Sequence, residues 1–383
     1  MKYIYLDYAA ATPMDPRVLK AMEPYFSDKF HNPSSTYAPA RETKAALEEA
    51  RKTVAAFLGA KHTEITFTAG GTEANNLAII GTATKYPGAH IITTATEHDS
   101  VLKPIQYLGQ NGWETSFIKP EKDGRVDPDK LLEAVTDETV LLSVIYANNE
   151  VGTIQPLSKI AAGLAGIRRA RAKRGIERPL YLHTDACQAT QYLDMHASRL
   201  GVDMLSFNSD KIHGPKQYGA LFISSGTMLN PLIFGGDQER GLRSGTPNVP
   251  AAAGFARAIE IVGQIKPTEP DRVRKLRDIL HDEVLKIDGA TVNGTMKKRL
   301  PNNLHVTFPG VDNERLLLEL EEHRIIAASG AACSASSEEP SHVLRSMGLS
   351  DELIRSSMRF SLGRETTEED IKQTVKTLRE LVG

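Results

Sequence analysis

Seven short apolar runs follow one another between residues 65 and 223, at 65–67, 90–94, 115–118, 139–147, 180–183, 204–207 and 220–223, and helical patterns or polar turns separate most of them. Runs of this length, rich in Ile, Val, Leu, Phe and Thr, read as strands. Their alternation with helices predicts an α/β fold with a mainly parallel sheet covered on both faces. In such a sheet, ligand groups belong at the strand ends.

The flanks of this run differ from it. Residues 3–6 read as a short extended piece, and Asp15-Pro16 starts a helix with a cap followed by proline at the first position. A longer helix is expected over 40–58, closed by Gly59, with Leu47, Val54 and Leu58 spaced for burial and Glu48, Glu49, Arg51 and Lys52 facing solvent. The basic cluster 168–174 reads as a solvated helix face, and 224–249 as a long loop of little periodicity. A loop of that length in a compact domain is often functional. Beyond Gly263, prolines 267 and 270 mark a junction. A helix, a strand at 304–308, a helix over 314–323, a strand at 358–362 and a last helix capped by Thr367-Glu-Glu-Asp370 make an α+β second domain.

A chain of 383 residues is long for one hydrophobic core, so two domains are expected. The formal charge of −2 gives no electrostatic reason to expect nucleic acid or a membrane surface. With no apolar run of spanning length and no secretion-type N-terminus, a cytoplasmic protein is expected. Two cysteines without repeat spacing exclude a disulfide framework or a self-contained zinc site and suit a reducing compartment.

The chemistry-bearing residues sit where this architecture would use them. Lys211 follows the 204–207 strand, and Gly214, Pro215 and Gly219 build the turn behind it, so its amine is held at a strand end. A lone loop lysine is ordinarily a solvated one, but Lys211 has company. Asp185 ends the 180–183 strand with Gln188 close behind, and Phe67-Thr-Ala-Gly-Gly-Thr-Glu runs from a strand through paired glycines into a helix, whose free amides suit a phosphate. A Schiff-base lysine, an acid for a ring nitrogen and a phosphate cradle are together what pyridoxal phosphate requires. Cys333 lies in a loop of small residues, Ser329 to Ser336, where a sulfur could be exposed, although many cysteines are small buried hydrophobes. Cys187, wedged at a strand end, reads as a packing residue.

These segments resemble those of the cysteine desulfurases of the class V aminotransferase group. The resemblance covers nearly the whole chain, through Tyr5-Leu-Asp-Tyr-Ala-Ala-Ala-Thr-Pro13, Thr96-Glu-His-Asp-Ser100, Asn148-Asn-Glu-Val-Gly-Thr-Ile-Gln155, Arg240-Gly-Leu-Arg-Ser-Gly-Thr246, Ser329-Gly-Ala-Ala-Cys-Ser-Ala-Ser336 and Arg359-Phe-Ser-Leu-Gly363. It implies the aspartate-aminotransferase-like fold, pyridoxal-phosphate fold type I. A large domain over 15–262 would hold a seven-stranded sheet, and a small domain of 1–14 and 263–383 would carry the cysteine loop. Gly71, Thr72 and Asn208 would bind the cofactor's phosphate, His98 would stack on its ring and move protons, Asn149 and Gln188 would touch the ring or its phenolic oxygen, and Asp185 would pair with the ring nitrogen. Thr246 would reach the phosphate of a neighbouring subunit's cofactor, which implies a homodimer. Arg359 would grip the substrate carboxylate, a task suited to a planar fork, although by composition it is an ordinary exposed arginine.

The implied reaction takes L-cysteine to L-alanine, with Lys211 removing the Cα proton and Cys333 receiving the sulfur as a persulfide. The implied sulfur acceptor is an iron-sulfur scaffold or a tRNA-thiolation enzyme, with no direct binding of nucleic acid. No resident metal is implied, Cys333 being where a transferred cluster would be ligated. A selenocysteine lyase or a plain transaminase uses the same fold, but a transaminase has no need of the Cys333 loop. A binding protein that had lost catalysis would not need Lys211, Asp185, His98, Cys333 and Arg359 together. The chain stops at Gly383 soon after its last amphipathic helix, where many relatives continue into a scaffold-docking tail, so weaker or differently placed docking is expected. The clearest departure from the pattern is Asp210, where relatives carry a phosphate donor. An ionised carboxylate only accepts, so Asp210 is expected to turn outward and pair with Arg243 or Lys216.

Overall fold

The computed structural model describes residues 3–330 and 340–383. The strands, in chain order, are β1 (Ile4–Tyr5), β2 (Ile65–Thr68), β3 (His90–Thr94), β4 (Glu114–Ile118), β5 (Thr139–Ser143), β6 (Tyr181–Asp185), β7 (Met204–Asn208), β8 (Gly219–Ile223), β9 (Thr291–Val292), β10 (Asn303–Thr307), β11 (Ile325–Ile326) and β12 (Ser357–Ser361). β2 to β8 form one seven-stranded sheet in the order β2-β8-β7-β6-β5-β3-β4. β8 is antiparallel to β2 and β7, and every other pairing in the sheet is parallel. The inner strands β3, β5, β6, β7 and β8 are buried at every residue, whereas the edge strand β4 is partly exposed. Burial on both faces is why these strands appear as continuous apolar runs in the sequence.

The run at 139–147 forms regular ladder only to Ser143. Beyond it Val144 N still donates to the His183 carbonyl and Tyr146 N to that of Asp185, which ties the following segment to the end of β6. Because β8 runs against its neighbours, its first residue, Gly219, lies opposite both Thr68 and Asn208. The carboxyl ends of β2 and β7 and the start of β8 therefore meet at one edge of the sheet.

A second apolar core joins Ile4 and Leu6 to Val273, Leu280, Leu304, Phe360 and Leu378. Around it stand the antiparallel sheet β12-β10-β9 and the parallel pair β1-β11. The first segment continues beside β12: Ser361 N donates to the Leu6 carbonyl and Tyr8 N to that of Ser361. The last helix, Glu368–Val382, opens on the expected reciprocal cap between Thr367 and Asp370.

The long loop before the helix Val249–Ile265 contains only a short turn of helix, Gln238–Gly241. It is fastened to the sheet by Glu239, which accepts from Arg51 and from Phe67 N, and by Arg240, which donates to the Ile65 carbonyl. Arg51, expected to face solvent, is instead buried with Glu239. The basic cluster is solvated as expected at residues 169, 170 and 172–174, and departs from that face at Arg171 and in part at Arg168. Arg171 is buried and donates to the carbonyls of Thr136 and Thr139, Arg168 pairs with Asp203, and Arg174 pairs with Asp137. These side chains fasten the helix Leu157–Lys173 to the ends of neighbouring strands, a use that depends on which carbonyls the sheet leaves open.

Candidate active site

The carboxyl ends of the central strands open into a cavity of about 470 Å³, within the ordinary range for a small-molecule site. On one side the chain leaves β2 at Thr68, passes Gly70 with φ 113°, and enters the helix Gly71–Lys85. That φ favours glycine, and the conformation aims the first turn of the helix, Gly71 and Thr72 included, into the cavity. The opening amides of a helix have no partners within it and make an anion seat. Gly71 is required for a different reason: a Cβ there would lie 2.5 Å from Cys187 Sγ.

Asp185, at the end of β6, is buried and tied on both oxygens. Oδ1 accepts from Cys187 N at 3.0 Å, and Oδ2 accepts from Asn75 Nδ2 at 2.7 Å. Asn75 lies one turn along the helix from Gly71 and also donates to Ser100 Oγ at 2.8 Å. Ser100 in turn reaches His98, with Ser100 N donating to Nδ1 at 3.1 Å. A neutral His98 therefore carries its proton on Nε2. Burial, and next the charge of Asp185, push the Cys187 thiol well up, so this cysteine is a neutral packing group.

Lys211 follows β7 and lines the cavity, its Nζ donating to the carbonyl of Ala10. Gln188 Nε2 donates to the neighbouring Ala9 carbonyl at 2.9 Å. Asn208 also faces the cavity, with its amide oxygen buried and without a partner among the described residues. Asp210 corrects the expectation placed on it. It lines the cavity, Arg243 is occupied by Glu73, Lys216 donates to the Thr12 carbonyl, and the cation nearest to the Asp210 carboxylate is Lys211 Nζ at 3.9 Å.

The opposite side comes from the smaller sheet. Arg359 projects from β12 and is buried, with 2% of its side chain exposed. Its Nη1 donates to the carbonyls of Asn149 and Gly330, at 3.0 and 3.1 Å, and Nη2 to Asp7 Oδ1 at 2.7 Å. Between the two sides lies Glu97. One of its oxygens accepts from Thr94 Oγ1 and Ile145 N, and the other has no partner among the described residues. Burial pushes its carboxyl up to about 8, which keeps it protonated at neutral pH.

Gly71, Thr72, His98, Asn149, Asp185, Gln188, Asn208, Lys211 and Arg359 thus face one cavity. Thr246 does not: it is exposed on the loop before the helix Val249–Ile265. Cys333 lies outside the described residues, while Gly330 and Pro340 on either side of it in sequence line the cavity. Sequence reading missed Asp7, Asn75, Glu97 and Ser100. Asn75 could have been found from its place one helical turn after Gly71; the pairing of Asp7 with Arg359 has no local signal. Among the described residues no group of three His, Cys, Asp or Glu side chains could hold a metal ion.

The donor set fits pyridoxal phosphate. A helix N-terminus waits beside Asn208, whose unpartnered amide, once turned, would offer N–H to an anion. A buried carboxylate and a lysine amine share the cavity with them. The family model described as Aminotransferase class-V matches residues 4–374. A protein named cysteine desulfurase IscS, from Dictyoglomus turgidum, is 42% identical over 382 residues, covering 99% of this chain and 94% of that one. A solved structure titled NIFS-LIKE PROTEIN superposes with a TM-score of 0.90 at 33% identity, over 99% of this chain and 98% of its own. Another, titled SspA in complex with cysteine, does so with a TM-score of 0.81 at 34% identity, over 94% and 98%.

Proposed function

The chain belongs to the class V aminotransferase family, whose enzymes use pyridoxal phosphate, and on that premise we propose that it is a cysteine desulfurase, converting L-cysteine to L-alanine and taking the sulfur onto Cys333. The reaction balances without an outside oxidant. Cys333 as thiolate attacks the substrate sulfur, an S–S bond forms, and the Cβ–S bond breaks. The electron pair of that bond stays with carbon, which takes up a proton, so a thiol and cysteine become a persulfide and alanine.

Gly71, Thr72 and Asn208 would hold the cofactor's phosphate, Asp185 its ring nitrogen, His98 its ring face, and Asn149 and Gln188 its ring or its phenolic oxygen. When bound, the cofactor supplies a cationic ring that accepts the electron pair left at the substrate's Cα. The protein's own groups do the rest. Lys211 Nζ, released from the Ala10 carbonyl, takes the Cα proton. His98 exchanges protons at Nε2, because Nδ1 is engaged by Ser100. Arg359 binds the substrate carboxylate and fixes which end of the amino acid faces Lys211.

The observation that carries this reading is the meeting of Asp185, Lys211 and Arg359, remote in sequence, around one cavity with a helix N-terminus beside them. The same reading makes the protein a cytoplasmic homodimer, with Thr246 reaching the cofactor of the neighbouring subunit. It also assigns residues 15–262 to a large domain, residues 1–14 with 263–383 to a small one, and the sulfur to an iron-sulfur scaffold or a tRNA-thiolation enzyme. Purified protein loaded with pyridoxal phosphate is expected to release alanine from L-cysteine and, with a reductant, sulfide. Cys333→Ala should keep the bound-cofactor absorbance and its response to L-cysteine but form no persulfide. Undiminished sulfide release by that variant would falsify the assignment of the nucleophile.

A further inference from the structure

Arg359 has five N–H donors, and the fold spends three of them. Both on Nη1 go to backbone carbonyls, of Asn149 and Gly330, and one on Nη2 goes to Asp7 Oδ1. Nε–H has no partner among the described residues, and one Nη2–H is left with it. Nε and Nη2 are neighbouring nitrogens, and donors from such a pair can grip a carboxylate side-on. Asp7 therefore decides which donors of the guanidinium are left without a partner among the described residues.

Asp7 is itself held. Its carbonyl accepts from Tyr5 Oη at 2.9 Å, and its backbone bridges to Ser361 two residues beyond Arg359 on the same strand. With 14% of its side chain exposed against 2% for Arg359, it is the carboxylate paired with a cation that water scarcely reaches. A buried guanidinium needs such a counter-charge.

We infer that Asp7 is a positioning and affinity-setting residue for the substrate's carboxylate, acting through Arg359 in two opposed ways. Its hydrogen bond orients the guanidinium so that the Nε and Nη2 edge faces the cavity, which favours binding. Its negative charge neutralises Arg359 beforehand and repels the incoming carboxylate, which disfavours it. The inference rests on the reading of Arg359 as the carboxylate site.

The two effects separate in two variants. Asp7→Asn keeps an acceptor for Nη2 and removes the charge; Asp7→Ala removes both. The protein to use is the cofactor-loaded Cys333→Ala form, which binds substrate without turning it over, with the change in bound-cofactor absorbance reporting affinity. The ligands are L-cysteine and 2-aminoethanethiol, which has the same amine and thiol but no carboxylate. Asp7→Asn should bind L-cysteine more tightly, and Asp7→Ala more weakly, each by about tenfold, the factor that 1.4 kcal/mol corresponds to. Neither should change the affinity for 2-aminoethanethiol. A purely structural role would move both ligands together and would overturn the inference, as would no change in either. Arg359→Ala separates the two layers of the argument. If it weakens L-cysteine selectively while both Asp7 variants do nothing, only the role of Asp7 falls; if it leaves L-cysteine binding intact, the carboxylate site and the inference fall together. Should Asp7→Ala fail to fold, the sign of the Asp7→Asn effect on L-cysteine alone still decides.

Discussion

Lys211 and Arg359 are two cations of one cavity, carried by different sheets and held in different ways. Lys211, on the turn after the parallel strand β7, has one carbonyl as its hydrogen-bond acceptor and a carboxylate at 3.9 Å. Arg359, on the antiparallel strand β12, is gripped by two carbonyls and a carboxylate at 2.7–3.1 Å. A group that must move a proton gains from few restraints and a flexible stem. A group that must recognise a shape gains from being fixed before the ligand arrives. On the proposed roles, the division of labour in the site is written in how many acceptors each cation satisfies.

The test with the largest expected effect attacks the mobile side. Lys211→Ala should lower the turnover of L-cysteine by roughly 10²–10⁴-fold, the usual range for a lost acid–base group. Arg359→Lys, which keeps the charge but not the fork, should instead act mainly on KM, raising it roughly 10- to 100-fold as a charge-assisted hydrogen bond is lost. Steady-state kinetics on both variants would break the comparison if the two acted on the same parameter.

A smaller effect is expected where the cradle is packed. Gly71→Ala sets a methyl group 2.5 Å from Cys187 Sγ, and overpacking of this kind costs roughly 1–3 kcal/mol. Titration of cofactor-free protein with pyridoxal phosphate should show weakened binding, and adding Cys187→Ala should restore much of it. Failure of that rescue would mean that the glycine is needed for its backbone alone.

The smallest expected effect concerns Glu97, which sharpens the contrast by adding no charge to either side. Its folded-state pKa of about 8 lies above the ordinary 4.5, so folding takes up a proton between those values. The associated stability is fully present below pH 4.5 and is lost as pH rises toward 8. The buried His183, His213 and His305 are depressed to about 4, 4 and 3 by burial, and they act the other way: their contribution is lost as pH falls below 6.5. Between about pH 7 and 8 the Glu97 slope therefore stands apart from theirs. Denaturant unfolding across that window should show falling stability in the parent and a flatter profile in Glu97→Gln, by a kcal/mol or so per pH unit. Equal slopes in the two proteins would mean that Glu97 is ionised in the folded state.

Most of the large sheet was legible because strands buried on both faces must be apolar throughout, and 90–94, 204–207 and 220–223 fall within a residue of β3, β7 and β8. The cavity residues were legible where backbone and chemistry coincide, as at the glycines before Thr72 or the aspartate ending β6. What escaped depended on distant partners. The strands β9 and β11 have two residues each and exist only through their neighbours. Arg171 and Arg51 looked solvated because nothing nearby in sequence announces the carbonyls or the Glu239 that bury them. Asp210 was expected to pair with Arg243 or Lys216 on charge alone, but Glu73 had already claimed that arginine and the Thr12 carbonyl that lysine.

The pairing of β1 with β11, together with the run of the first segment along β12, has a consequence for how the protein is made. Asp7 and Arg359 are 352 residues apart in sequence. At the usual pace of synthesis the first of them waits roughly 20–70 s for the second to be made. β11, the strand partner of β1, is not made until residues 325–326, so for most of that interval the amino-terminal segment lacks its partner and the cavity lacks one wall. A nascent chain halted before Arg359 could not complete the cavity, so the proposed carboxylate seat exists only once Arg359 has been made.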